Sequence, residues 1–177
     1  DIYIHDFNVD VSNILQGLAV GTSGQSEMNI KGNRITVARM HNTSATQTVI
    51  LGAIDAVNGG SPFAADISNI TVSDASSEGS LAFGIALINI GNTNLIPVLN
   101  IANATIDKIE SSESFPLEIP SLGIFAAVEN DGETAQATIN ATNVLISQMS
   151  GGSINCGVVD LGPFYGGNGT GTGTITS

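Results

Sequence analysis

Along this chain, runs of roughly five to ten residues rich in Ile, Val, Leu and Thr alternate with short clusters of Gly, Asn, Ser and Asp. Such punctuation predicts β-strands separated by tight turns. Residues 48–57 (TVILGAIDAV) come closest to a helix by propensity, but their β-branched content and flanking turn residues predict a strand there too. Pro62, Pro97, Pro116, Pro120 and Pro163 all fall beside turns or strand starts, where a missing N–H does no harm. The pattern predicts an all-β protein with almost no helix.

The pattern also repeats. A glycine and an apolar run open each phrase, as in Gly84-Ile85-Ala86 and Gly123-Ile124-Phe125, and an asparagine beside a strand closes it, as in Asn69-Ile70-Thr71-Val72. The glycines Gly17, Gly52, Gly84, Gly123 and Gly157 are separated by 35, 32, 39 and 34 residues. The asparagines Asn8, Asn33, Asn69, Asn103 and Asn143 are separated by 25, 36, 34 and 40. Glycine-to-asparagine steps of 16, 17, 19 and 20 are steadier than the steps back to the next glycine. One half of each repeat is therefore scaffold, and the other holds variable loops, placed at 12–16, 39–47, 73–79, 107–120 and 148–153.

A period near 35 residues running end to end marks a stacked architecture, organised as one β-repeat domain over 1–177. Stacking predicts apolar columns such as Ile70/Thr105/Val144 and Ile85/Ile124/Val158. It also predicts a ladder of inward-facing asparagines, Asn69, Asn103 and Asn143, in left-handed backbone. Gly52, Gly84, Gly123 and Gly157 are the matching structural glycines. The tail 173–176 can be laid over 104–107, which would stop the chain partway into a sixth repeat. With its start at Asp1 and no Met before it, the chain reads as a mature protein or as a segment of a longer protein or assembly.

The phrase of glycine, apolar run, small Asn/Gly turn and Asn-x-Thr-Ile, best seen at 52–72, 84–106 and 123–146, resembles the repeats of right-handed parallel β-helix surface proteins. Among them are bacterial autotransporter passengers and polymorphic outer-membrane adhesins. The paired glycines of the polymorphic adhesins are single here. The resemblance implies a right-handed parallel β-helix of about five repeats. The rival is an antiparallel β-sandwich or jelly roll, in which 57–60 (VNGG), 90–93 (IGNT) and 129–132 (ENDG) are hairpin turns.

Charge changes the functional picture more than the fold. Sixteen acidic residues against four basic ones give a net charge of −12, which argues against nucleic acid and anionic membrane surfaces as partners. No apolar run approaches the ~20 residues of a membrane-crossing helix, so no membrane insertion is expected. Only 11% of residues are charged, and solubility rests on Asn, Ser, Thr and Gly, a balance suited to an extracellular or cell-surface protein. A single cysteine, Cys156, allows no intrachain disulfide and no Cys-based metal site, and it reads as a small buried hydrophobe.

Candidate chemistry is sparse. Asp6 and Asp10 flank Asn8, and Glu110, Glu113 and Glu118 share the longest loop, but Lys31, Arg34, Arg39 and Lys108 form no obvious set with them in sequence. Such carboxylates are more often solvated surface groups than a calcium or lyase site. His5 and His41 have many serines around them but no Gly-x-Ser-x-Gly elbow. Of five Asn-x-Ser/Thr sequons, Asn42 and Asn168 are the better loop acceptors for a glycan. Aromatic platforms for sugars are few, and Phe164-Tyr165 reads as a packed corner.

The expected function is a non-enzymatic structural or adhesive surface module without cofactors. Its partners would be copies of itself or a cell-surface protein or glycan, met first through residues 109–120. A pilin-like sandwich filament subunit and a carbohydrate-active β-helix enzyme or lectin are the alternatives.

Overall fold

A computed structural model describes residues 1–10, 14–22, 27–44, 50–59, 62–78, 82–89, 96–111, 121–128, 136–150, 155–160 and 170–176. They form eleven strands: β1 (Ile2–Val9), β2 (Ile14–Thr22), β3 (Met28–Asn42), β4 (Ile50–Asn58), β5 (Phe63–Ser77), β6 (Ala82–Asn89), β7 (Val98–Ser111), β8 (Ser121–Val128), β9 (Gln136–Ser150), β10 (Asn155–Asp160) and β11 (Thr170–Thr176). Odd-numbered strands build a six-stranded sheet in the order β1-β3-β5-β7-β9-β11, and even-numbered strands a five-stranded sheet, β10-β8-β6-β4-β2. Every described pairing is parallel. The chain therefore changes sheet at each connection and returns one strand further along.

This overturns the antiparallel sandwich. The strands on either side of 57–60, 90–93 and 129–132 (β4 and β5, β6 and β7, β8 and β9) lie in different sheets and do not pair with one another. The five-stranded sheet shows why in its composition. Leu51 to Ala56 and Ala82 to Leu87 are buried without interruption, the continuous pattern of a parallel sheet covered on both faces.

Register follows the repeat closely. Ile2, Ile35, Ile70, Ala104 and Val144 stand in one column, at steps of 33, 35, 34 and 40 residues. Leu18, Ile54, Ile85, Ile124 and Val158 form another in the opposite sheet. Three registers expected from sequence shift. Ile70 and Val144 share a column with Ala104, whereas Thr105 stands with Thr71 and Leu145 on the outer face. The tail Gly173–Thr176 lies level with 139–142, a strand segment earlier than its placement over 104–107.

The third shift concerns the glycines. Gly52 pairs with Phe83, so the residue level with Gly84 is Ala53. Registers on either side set the column as Gly17, Ala53, Gly84, Gly123 and Gly157. Its cause is crowding both from the carbonyl of the neighbouring strand and from side chains of the opposite sheet. A Cβ on Gly84 would lie 2.7 Å from Gly123 O and 2.7 Å from Ile106 Cγ2, and one on Gly17 would lie 2.7 Å from Val37 Cγ1. Gly52 serves another purpose: its missing side chain leaves room for the Asp55 carboxylate and the Phe83 ring.

The core lies between the sheets. Ile35, Val37, Met40, Ile70, Val72, Ile106 and Ile109 from one meet Leu51, Ala53, Ile54, Ala56, Ile85, Leu87 and Ile124 from the other. Column neighbours trade volume: Ala75 sits between Met40 and Ile109, and Gly32 beside Ile67. At one margin the inward column turns polar, with Asn42, Ser77 and Ser111 all buried.

Candidate functional site

The polar chemistry that is described gathers on the outer face of the six-stranded sheet, and two backbone columns organise it. Asn69, Asn103 and Asn143 have φ of 53°, 54° and 52°, with Arg34 (56°) in the same column. Five residues further on, Arg39, Asp74, Lys108 and Gln148 have φ between 51° and 56°, and Asp6 has 64°. Left-handed backbone is uncommon outside glycine, though Asn and Asp tolerate it best. Each such residue inserts an extra outward position. In β5, Ile67 points in, Ser68 and Asn69 point out, and Ile70 points in again. The chain kinks there and the inward alternation restarts.

Residues 39–42, 73–77, 107–111 and 148–150, expected to be loop, are therefore strand. Their polar kink residues resemble turn residues in sequence because both occupy the same backbone region.

The first column carries an amide ladder. Asn69 Nδ2 donates to Asn33 Oδ1 at 2.7 Å, Asn103 Nδ2 to Asn69 Oδ1 at 3.3 Å, and Asn143 Nδ2 to Asn103 Oδ1 at 2.8 Å. These asparagines face solvent, which corrects the inward placement. Asn33 enters only as an acceptor, since Arg34 takes its place at the kink, and Asn8 stands beside His41, outside the ladder. A parallel ladder runs alongside. Asn100 Nδ2 donates to Asp66 Oδ1 at 2.7 Å, and Asn140 Nδ2 to Asn100 Oδ1 at 2.9 Å. Between this ladder and Ser68, Ala102 and Thr142 lies a shallow trough of about 230 Å³.

The second column alternates in charge: Asp6, Arg39, Asp74, Lys108. Arg39 grips Asp6 through both Nε and Nη2, and His5 Nδ1 lies 2.6 Å from the same carboxylate. Those two partners hold the Asp6 carboxyl well below the usual carboxylate range. Lys108 Nζ contacts Asp74 Oδ1 at 2.5 Å, which raises the lysine's pKa. Arg34 Nε meets Asp1 Oδ1 at 2.5 Å. Three of the four basic residues thus pair with carboxylates 33 or 34 residues away, a relation invisible to a search for local clusters.

His41 completes this surface. Its Nδ1 is 2.8 Å from Ser76 Oγ, and its Nε2 is 3.7 Å from Asp74 Oδ2. This is the contact order of a nucleophile, base and carboxylate. The Nε2 contact is too long for a hydrogen bond, and Asp74 is already engaged by Lys108. Glu110 stands level with Ser76 on the next strand, where its negative charge would oppose an oxyanion. The arrangement is a cross-strand polar network.

One carboxylate stands apart. Asp55, on β4, is buried, and desolvation pushes its pKa up to about 7 against the lowering effect of Gln16 Nε2, which donates to Oδ2 at 2.6 Å. Among the described residues its Oδ1 has no hydrogen-bond partner. The burial signal was available in sequence, since Asp55 interrupts an otherwise apolar run.

Of the candidate acceptors for a glycan, Asn42 is only 1% exposed and its Oδ1 accepts from the Ser44 amide, so the fold leaves no room for a sugar there. Asn168, Glu113, Glu118, Phe164 and Tyr165 lie outside the described residues, as does 112–120, most of the segment expected to meet a partner. Cys156 lies in β10 level with Leu122. Among the described residues no helix is long and apolar enough to cross a membrane. No family model, curated protein or solved structure matches the chain.

Proposed function

We propose that the chain is a right-handed parallel β-helix, each repeat one coil through both sheets, and that it serves as a non-enzymatic structural or adhesive module of a cell surface. The reading favours kinship of architecture with autotransporter passengers and polymorphic adhesins. The observation that carries it is the engagement of outward polar groups with one another. Asn33, Asn69, Asn103 and Asn143 bond along the stacking direction, as do Arg39 with Asp6 and Lys108 with Asp74. Side chains committed to holding neighbouring coils together build a scaffold, and binding falls to the connections it displays.

A second reading, a lectin-like surface, has one observation in its favour: the trough beside Asp66, Asn100 and Asn140, where amide and carboxylate groups recur once per strand. Both readings can be tested by fluorescent labelling of the chain and measurement of its adsorption to cells. Replacing 112–118 with a Gly/Ser linker is expected to abolish adsorption with no loss of thermal stability. Retained adsorption that is lost in Asn100→Ala and competed by soluble oligosaccharide would shift the assignment to the trough. Absence of adsorption in every case would overturn the adhesive reading.

A further inference from the structure

Ser77 and Ser111 stand in an unusual place for serine. Together with Asn42 they form the last inward column of the six-stranded sheet, level with one another on β3, β5 and β7. Two residues earlier the same face carries Met40, Ala75 and Ile109, all buried. Burial continues into the serines, which are 2% and 8% exposed. Ser76 and Glu110, between the two levels, are only partly covered, as outward positions of a strand are. The two hydroxyls therefore lie inside, and among the described residues neither Oγ has a hydrogen-bond partner. A buried hydroxyl without a partner is costly, and folded proteins seldom keep one.

We propose that the two hydroxyls share one bound water, held inside the coil between β5 and β7. Spacing is the first argument. Equivalent atoms on neighbouring strands lie about 4.8 Å apart, too far for one hydroxyl to reach the other. A water about 2.8 Å from each Oγ spans that gap with an angle of about 120° at its oxygen, close to tetrahedral. Size is the second. Asn42, at the same level, is larger than serine by an amide group, and its Oδ1 accepts from the Ser44 amide. The serines stop short of that reach, and a single water makes up the difference.

The chemistry of the site selects water over an ion. Each hydroxyl offers a hydrogen and lone pairs, and water answers both. A cation would leave the hydroxyl hydrogens unpaired. The inward neighbours Met40, Ala75 and Ile109 bring no charge, and Glu110 lies on the other face. Outside the sheet, Asn and Asp side chains bond directly from strand to strand. Inside, water makes the corresponding link. The site depends only on the register of β3, β5 and β7, and so is independent of any adhesive role.

Oxygen-17 relaxation dispersion counts internal waters that outlast molecular tumbling. Wild type is expected to hold one more such water than the S77A/S111A variant. S77A and S111A are each expected to lower the thermal midpoint, because each strands the other hydroxyl, and the second change to cost less than the first. Single variants with an unchanged or raised midpoint overturn the proposal, as does an equal count of waters. A wild-type midpoint that rises with sodium or potassium at constant ionic strength, where that of S77A/S111A does not, overturns it in favour of a cation. If the double variant does not fold, a crystal structure of the wild type decides. Solvent density within hydrogen-bond reach of both Oγ atoms is expected, and its absence overturns the site.

Discussion

At the scale of single residues, two positions hold most of the testable physics. Asn103 meets a backbone demand and an amide demand at once, with φ of 54°, a bond donated to Asn69 and one accepted from Asn143. An alanine there keeps the strained backbone without the amide, while glycine removes the strain. Asn103→Ala is expected to lower unfolding free energy by about 1–3 kcal/mol, and Asn103→Gly by clearly less. Chemical denaturation measures both, and equal losses would mean that backbone strain contributes little. Asp55 supplies a pH dependence. Its folded pKa, near 7, lies above the ordinary 3.8, so the native state holds its proton more tightly than the unfolded chain. The contribution is unperturbed below about pH 4, turns progressively destabilising as pH rises toward 7, and is constant above that. Asp55→Asn is expected to be more stable than wild type at pH 8, by on the order of a few kcal/mol, with the gap closing toward pH 4. Parallel stability–pH curves for the two proteins would remove Asp55 as the cause.

At the scale of elements, the glycine column makes room for the neighbouring strand's carbonyl and for the opposite sheet's side chains. Gly84→Ala forces a Cβ onto Gly123 O and Ile106 Cγ2 and is expected to cost about 1–3 kcal/mol. In an Ile106→Ala background the same change should cost less, because one of the two contacts is gone. Strict additivity in that double-mutant cycle would mean the sheets do not press together at this point. The strands themselves were legible in sequence, as was their period, because β-branched runs and turn residues follow local rules. Register was legible to within one residue in the columns, but the tail 173–176 lies five residues earlier than its placement over 104–107. Gly52 lies one place from the true column because Ala53 is small enough to stand where the other strands have glycine. The ion pairs were hidden for a related reason: Asp6 and Arg39 are 33 residues apart, and only the winding of the chain makes them neighbours. Adding the repeat period to each charged position would have found them. The kinks at Arg39, Asp74 and Lys108 carried a turn-like composition, and nothing in a local window separates a kinked strand from a loop.

At the scale of the whole molecule, six strands spaced by about 4.8 Å extend only some 25–30 Å along the stacking direction. The described strands therefore extend no further along the stacking direction than a fifteen-residue strand runs across it. All of this depends on the parallel, in-register neighbourhood of positions one winding apart. Disulfide trapping at Thr71 and Thr105, which pair directly and face solvent, tests that relation with least disturbance of the core. In a Cys156→Ser background, Thr71→Cys/Thr105→Cys should oxidise to an intramolecular disulfide, since paired Cα atoms about 4.8 Å apart fall within the bridging range. The off-register pair Thr71→Cys/Asp107→Cys should oxidise far more slowly. Failure of the first pair to cross-link, or equal cross-linking of both, would contradict the stacked arrangement.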